Sequence, residues 1–404
     1  MRCIHLKEQE DLALDLSALS MDEGQTILTQ YSKYIEIFFP TPRHHNQWVL
    51  RNQGFVGILP ITLDLTLWLQ PKTSLATVFS LLEWTWAFKG LNLFDQVRQC
   101  EDVKEVYERL ALLLAQKIAT RIRRGLIKAY IAQKENLTYL RGQLVIQEHI
   151  QHPWKIELPC LTDEHSVDID DNRIPLWALE SILRSQICSE KSSRLVLQMH
   201  RALKSLLTPS IPNVLVLRNR EYQRLNEDYR PIHILSRFFI EQVGPTHRIG
   251  QKEMLPFAIF MPNLFEQFVA QWLKFHLPQH LTLRWQEKLT LSEHHDINAK
   301  IDLVIYDKIT SKAVAVLDTK YKSGKKPSNE DINQITTYAT ALNCTLGILI
   351  YPDPSHQDVQ LNIGKIEILS MTFSIDQAPE VAGQAFLNRL LTICHSEHHG
   401  CPIP

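Results

Sequence analysis

Asp302 and the triplet Asp318-Thr319-Lys320 are the residues of this chain best suited to chemistry. Asp302 lies in the apolar run Ile301-Asp302-Leu303-Val304-Ile305, and Asp318 ends the run Ala313-Val314-Ala315-Val316-Leu317. An acid at the start of one buried strand, followed by Asp-x-Lys at the end of the next, gathers two carboxylates and an ammonium. Metal-dependent phosphodiester cleavage needs that set. Carboxylates hold a divalent cation, which polarises a phosphoryl oxygen and lowers the pKa of a bound water. The lysine stabilises developing charge or positions the attacking water. A structural Asp–Lys pair at a strand end is the competing reading, and Asp302, a second acid inside an apolar strand, weighs against it. Another Asp-x-Lys, Asp102-Val103-Lys104, has no strand before it and reads as surface.

Further residues gather around this pair. Glu266 stands between Phe265 and Phe268 on an amphipathic helix, either as a third acid or as a solvent-facing glutamate. Gln334 and Tyr338 are four apart on the helix after Lys320 and so share a face. They read either as contacts to the strand ends or as a half-buried helix face. Lys322, Lys325 and Lys326 follow in a glycine-containing loop, where phosphate contact and simple solvation both fit.

The elements that must position these residues are legible in the pattern. Pro262-Asn263 opens a helix through Leu273, and strands are expected at 281–291, 299–306 and 313–318. A helix over 329–342, a strand over 345–351, a strand around 363–370 and a helix around 379–394 follow. The order α-β-β-β-α-β describes a mixed α/β domain with helices on the faces of a sheet. Upstream, Trp48-Val49-Leu50 and Phe55–Pro60 flank Arg51-Asn52-Gln53-Gly54 as a hairpin, and 63–69 alternates as a strand. Helices are expected over 75–89, 103–134, 172–188, 193–207 and 232–242, with a turn and strand at 140–146 and a polar, acidic stretch over 160–171. The second of these helices carries Lys117, Arg121, Arg123, Arg124, Lys128 and Lys134. It is either a solvated face or a contact for DNA or an acidic partner. The cluster Gly244 to Gly250 marks the boundary between a region 1–255 and a domain 256–404.

Composition narrows the class. The chain has 404 residues, enough for two or three domains, and a formal net charge of -1. Any DNA contact must then rest on local patches. Seven scattered cysteines without a CxxC pair argue for reduced thiols in the cytoplasm. The polar N-terminus is no signal peptide, and no apolar run is long enough for a membrane span. His294-His295-Asp296 and the tail histidines His395, His398 and His399 with Cys401 lack the paired spacing of a zinc site. There is no P-loop and no G-x-S-x-G elbow.

The run Met261–Val269, Asp302 on its strand, Leu317-Asp318-Thr319-Lys320-Tyr321-Lys322 and Gln334-x-x-x-Tyr338 resemble the nuclease domain of the McrC family. The likeness extends upstream to Phe55–Pro60, Gln70-Pro71-Lys72, Leu140–Leu144, Asp171–Ile174 and Tyr229-Arg230-Pro231. It implies a PD-(D/E)xK restriction-endonuclease-like αβββαβ core behind a large β-rich and helical N-terminal region. It implies Mg2+ held by Asp302 and Asp318, with Glu266 and Thr319 assisting, the latter through its carbonyl or hydroxyl. Lys320 would orient water or stabilise the transition state, and Gln334 and Tyr338 would support it or position DNA. Ile301 stands where many such nucleases have proline, a difference confined to the strand entry. The implied partners are double-stranded DNA and an McrB-like AAA+ hexameric ring that binds GTP, reads 5-methylcytosine and is stimulated by the N-terminal region. The alternatives are a regulatory GTPase-activating subunit with a silent nuclease and a stand-alone repair nuclease.

Overall fold

The computed structural model describes residues 2–62, 64–85, 103–208, 220, 222–223, 226–242, 247–249, 252–254, 256–292, 297–322, 324 and 326–398. His294-His295-Asp296, Lys325, His399, Cys401, Asp102 of the other Asp-x-Lys triplet and most of the Gly244–Gly250 cluster lie outside the described residues. The protein is mixed α/β and divides into two compact units, Met1–Val103 with Ala258–Pro404, and Lys104–Phe257. A boundary near 255 therefore coincides with the return from the second unit to the first. The residues before it are not one body, because the first hundred fold with the C-terminal domain.

The chain begins with β1 (Arg2–Lys7), β2 (Asp11–Leu14), α1 (Met21–Gln30), β3 (Ile35–Phe38) and β4 (Trp48–Asn52). It continues through β5 (Phe55–Pro60), β6 (Leu65–Gln70) and α2 (Leu75–Thr85). Ser20 and Glu23 close α1 with a reciprocal capping box, which fixes where this helix starts. The expected 48–60 hairpin does not form. β4 lies in the sheet β2-β4-β3, whereas β5 joins a different sheet with β6 and β1. The Asn52 side chain accepts from the Gly54 and Phe55 amides, and Gly54 has φ 90°. That turn carries the chain out of one sheet into the other, and the two sheets share a core around Trp48, Tyr31, Leu6 and Leu67.

The second unit holds α3 (Val103–Arg124), β7 (Ala129–Leu137), β8 (Gln143–Leu144), α4 (Ile146–Gln151) and β9 (Leu158–Ser166). Then come α5 (Asp170–Ser185), α6 (Glu190–Lys204), α7 (Tyr229–Glu241), β10 (His247–Ile249) and β11 (Lys252–Met254). The helix expected over 103–134 stops at Arg124, because Gly125 takes φ 92° just past its end. Lys134 consequently sits on a strand, paired with Glu148, and Arg121 and Arg124 share Asp228. The acidic stretch after Cys160 is mostly strand β9, paired along its length with β7.

Back in the first unit, β12 (Phe257–Phe260) joins β5, and α8 (Met261–His276) follows. β13 (Leu281–Ser292), β14 (Ile297–Asp307), β15 (Ala313–Thr319), α9 (Asn329–Ala341) and β16 (Leu346–Tyr351) complete the order α-β-β-β-α-β. The last expected strand is a pair, β17 (Gln360–Ile363) and β18 (Ile366–Thr372), before α10 (Pro379–His398). The sheet runs β13-β14-β15-β16-β18-β17. β13, β14 and β15 are antiparallel neighbours, whereas β15, β16 and β18 run parallel. Val304 and Val316 pack with Ile335, Tyr338 and Ala339 of α9 on one face of this sheet.

Candidate active site

Strand register brings the two aspartates together. Leu303 pairs with Leu317 and Val304 with Val316, so the same register sets Asp302 opposite Asp318. Side chains alternate along a strand, so Asp302 shares a face with Val304, and Asp318 shares one with Val316. That face looks toward α9. Asp318 also pairs with Leu349 of β16, which makes it a central-strand residue, 1 % exposed. Asp302 Oδ2 accepts from both the amide and the hydroxyl of Thr319, each at 2.9 Å. The Thr319 hydroxyl thus orients Asp302, while its oxygen lone pairs and the Thr319 carbonyl both remain able to face a cation.

Lys320 leaves the end of β15, where its amide donates to the Ile350 carbonyl at 2.8 Å. Its ammonium lies 2.6 Å from Asp318 Oδ2 and 3.6 Å from Asp331 Oδ1, and donates to Gln334 Oε1 at 2.8 Å. Gln334 Nε2 in turn donates to the Tyr338 hydroxyl at 2.8 Å. The helical spacing of Gln334 and Tyr338 therefore produces a relay ending on Lys320. Asp331 was not singled out from sequence. It is a buried capping-box residue of α9, bonded with Ser328, and it also receives Lys322 at 3.0 Å. The legible signal was Ser328-x-x-Asp331 one turn before Gln334.

Glu266 approaches from α8. Its Oε1 accepts from Trp285 Nε1 at 2.8 Å and Gln286 Nε2 at 3.0 Å. Both donors reach one oxygen because Gln286 has φ 54°, a left-handed conformation that breaks the alternation of β13. The flanking pairs Trp285–Leu303 and Glu287–Ile301 place that irregularity opposite Asp302. A strained non-glycine residue beside the acids had no local sequence signal.

Electrostatics couple the three acids. Burial, then the Asp302 charge, pushes the Asp318 carboxyl from 3.8 up to about 7, although Lys320 opposes the shift. Burial and the same Asp302 charge also raise Glu266 above its ordinary value. Lys320 is held above its ordinary value against desolvation, chiefly by the Asp318 and Asp331 charges. The Lys320 ammonium, 2.6 Å from Asp318 Oδ2, forms an ion pair that offsets part of the carboxylate charge. A divalent cation would relieve the repulsion between these two neighbouring, poorly solvated carboxylates. Among the described residues, no group of three His, Cys, Asp or Glu side chains is placed to hold a metal ion. Mg2+ requires none, since it binds through one or two carboxylates plus water and substrate phosphate. The residues present fit that ion.

Residues 50–352 match the family model of the McrBC 5-methylcytosine restriction system component. No curated protein sequence matches the chain. Among solved structures, the chain resembles one described as a refined half-complex from the tetradecameric assembly of Thermococcus gammatolerans McrB AAA+ hexamers with bound McrC. The TM-score is 0.58 at 16% identity, covering 96% of this chain and 100% of that one. A second, the McrBC complex of the same organism, has a TM-score of 0.43 at 16% identity, covering 69% of this chain and 89% of that one. At such identity a structural likeness speaks for the fold alone, whereas the family model spans most of the sequence. The chain belongs to the family of McrBC 5-methylcytosine restriction system components.

Proposed function

We propose that this chain is the endonuclease subunit of a modification-dependent restriction system, a Mg2+-dependent phosphodiester hydrolase acting on double-stranded DNA. The observation that carries this reading is the meeting of Asp302, which lies in the middle of β14 and not at its start, with Asp318 and Lys320 at the end of β15. The α-β-β-β-α-β order around them is the order expected of a PD-(D/E)xK nuclease. Asp302, Asp318 and the Thr319 carbonyl would hold Mg2+, with Glu266 assisting directly or through water. When bound, the ion supplies Lewis-acid polarisation of the scissile phosphate and a water of lowered pKa. Lys320, braced by Asp318, Asp331 and Gln334, presents a fixed positive charge to the developing phosphorane or orients the attacking water. Gln334 and Tyr338 hold that ammonium in place.

The partner in this reading is an McrB-like AAA+ ring that binds GTP and whose hydrolysis this chain stimulates. The sequence itself carries no P-loop. The similar Thermococcus structure contains McrC bound to McrB hexamers. In the 104–257 unit, Tyr130, Tyr139, Ile146, Ile150, Trp154 and Ile156 are each more than 60 % exposed. Apolar exposure on this scale marks a contact surface. We place the ring contact there rather than on the basic run, whose Arg121 and Arg124 already share Asp228.

Reconstitution with the motor, GTP and a plasmid carrying 5-methylcytosine tests the assignment. Cleavage is expected in Mg2+, lost on chelation and recovered when Mg2+ is restored. Undiminished cutting in excess chelator would overturn the metal-dependent mechanism. The role of Glu266 is tested separately by Gln286→Gly. Glycine adopts φ 54° without strain, so melting should not fall, yet cleavage should slow about tenfold as Glu266 loses a donor. An unchanged rate at limiting Mg2+ would remove Glu266 from the metal's surroundings.

A further inference from the structure

Tyr321 follows Lys320 directly and is buried, yet its partners come from the opposite end of the sequence. Gln9 Nε2 donates to the Tyr321 carbonyl at 3.0 Å. The Tyr321 hydroxyl donates to Glu8 Oε2 at 3.3 Å, and the Lys72 ammonium sits 4.1 Å from the ring centroid. The Lys72 amide also donates to Glu8 Oε2, at 3.4 Å. All of these residues belong to one compact unit. Two sequence motifs, Gln70-Pro71-Lys72 and Asp318-Thr319-Lys320-Tyr321, thus meet in space.

This cluster is expensive as mere packing. Glu8 is 2 % exposed, and its Oε1 has no hydrogen-bond partner among the described residues. Burial pushes the Glu8 carboxyl up and the Lys72 ammonium down from their ordinary values, against their mutual attraction. Apolar residues of similar volume would fill the space at lower cost. What the polar cluster provides is direction, since it grips the carbonyl, ring and hydroxyl of a single residue. Lysine carries its charge on a flexible four-carbon stem, so the ammonium is placed only as well as the backbone beneath it. One side of that backbone is tied by the bond from the Lys320 amide to Ile350. The other side is Tyr321.

We infer that Tyr321, clamped by Glu8, Gln9 and Lys72, is a positioning residue that sets the place of the Lys320 ammonium. Residues 1–103 are then part of the working nuclease and not a separable arm. The inference rests on the nuclease reading above.

Single-turnover cleavage by the full chain assembled with its motor tests it. Tyr321→Leu should slow the chemical step about 30-fold, with half-saturating DNA and Mg2+ concentrations unchanged. Tyr321→Phe keeps the ring under Lys72 and loses only the hydroxyl, so the loss should be about 3-fold. Added to Lys320→Ala, Tyr321→Leu should cost less than about 2-fold more, because nothing is left to position. Losses that multiply in the double variant would overturn the clamp and leave the nuclease reading standing. So would a full rate for Tyr321→Leu beside an inactive Lys320→Ala. Full cleavage by Lys320→Ala would overturn the nuclease reading and the clamp with it. Should Tyr321→Leu fail to fold, Tyr321→Phe and Glu8→Gln decide the matter, and wild-type rates for both would overturn the proposal.

Discussion

Asp318→Asn should abolish DNA cleavage while leaving the protein at least as stable as before. Asparagine keeps the shape of the side chain at a position 1 % exposed in the middle of a sheet, so packing is preserved. It removes the charge on which the divalent cation depends. The stability side follows from the carboxyl's pKa of about 7, raised from 3.8 by burial and by Asp302. A carboxyl raised on folding withdraws stability as pH climbs from its unfolded value through its folded one, because the folded state resists ionisation. Between about pH 4 and 7 the wild-type protein without metal therefore loses stability that the asparagine variant keeps. At pH 8 without divalent ions the variant's melting temperature should equal or exceed the parent's. With Mg2+ the order should reverse, since only the parent binds the ion tightly. Plasmid cleavage by a well-folded Asp318→Asn protein, with its motor and GTP present, would remove Asp318 from the mechanism.

Lys320→Ala should lower the cleavage rate by about three orders of magnitude, whereas Lys104→Ala should leave it nearly unchanged. The two lysines belong to the chain's two Asp-x-Lys triplets and differ only in where the fold puts them. Lys104 lies in the first turn of α3, in the 104–257 unit. Lys320 stands at the end of β15 with Asp318, Asp331 and Gln334 around its ammonium. Removing Lys320 also leaves Asp318 without its positive neighbour, so Mg2+ affinity should hold or rise while the rate falls. A decrease in DNA binding with an unchanged single-turnover rate would make Lys320 a phosphate contact only. Equal losses from the two alanine substitutions would show that neither triplet is special.

The C-terminal domain was largely legible because its signals are local. Apolar runs of strand length give β14 and β15, and the acids are visible as interruptions of those runs, Asp302 in the middle of β14 and Asp318 near the end of β15. Gln334 and Tyr338 announce a shared helix face by spacing alone. The order α-β-β-β-α-β follows from the same periodicities. Where the sequence pattern misled, a single turn residue usually decided the outcome. Gly54 and Asn52 send neighbouring strands into different sheets, and Gly125 ends a helix whose periodic pattern runs on past it.

The sequence by itself determined which side chains were able to do chemistry and the elements that carry them, since both depend on neighbours a few positions apart. Tertiary structure alone decided the rest. It set Gln286 in a left-handed conformation opposite Asp302, aimed two donors at Glu266, and brought Asp331 against Lys320. It also folded residues 1–103 with 258–404 and placed Glu8, Gln9 and Lys72 around Tyr321. Such contacts join different elements, and those around Tyr321 reach 312 and 313 positions along the chain. They are selected by how whole sheets and helices pack, and no periodicity within a single segment encodes them.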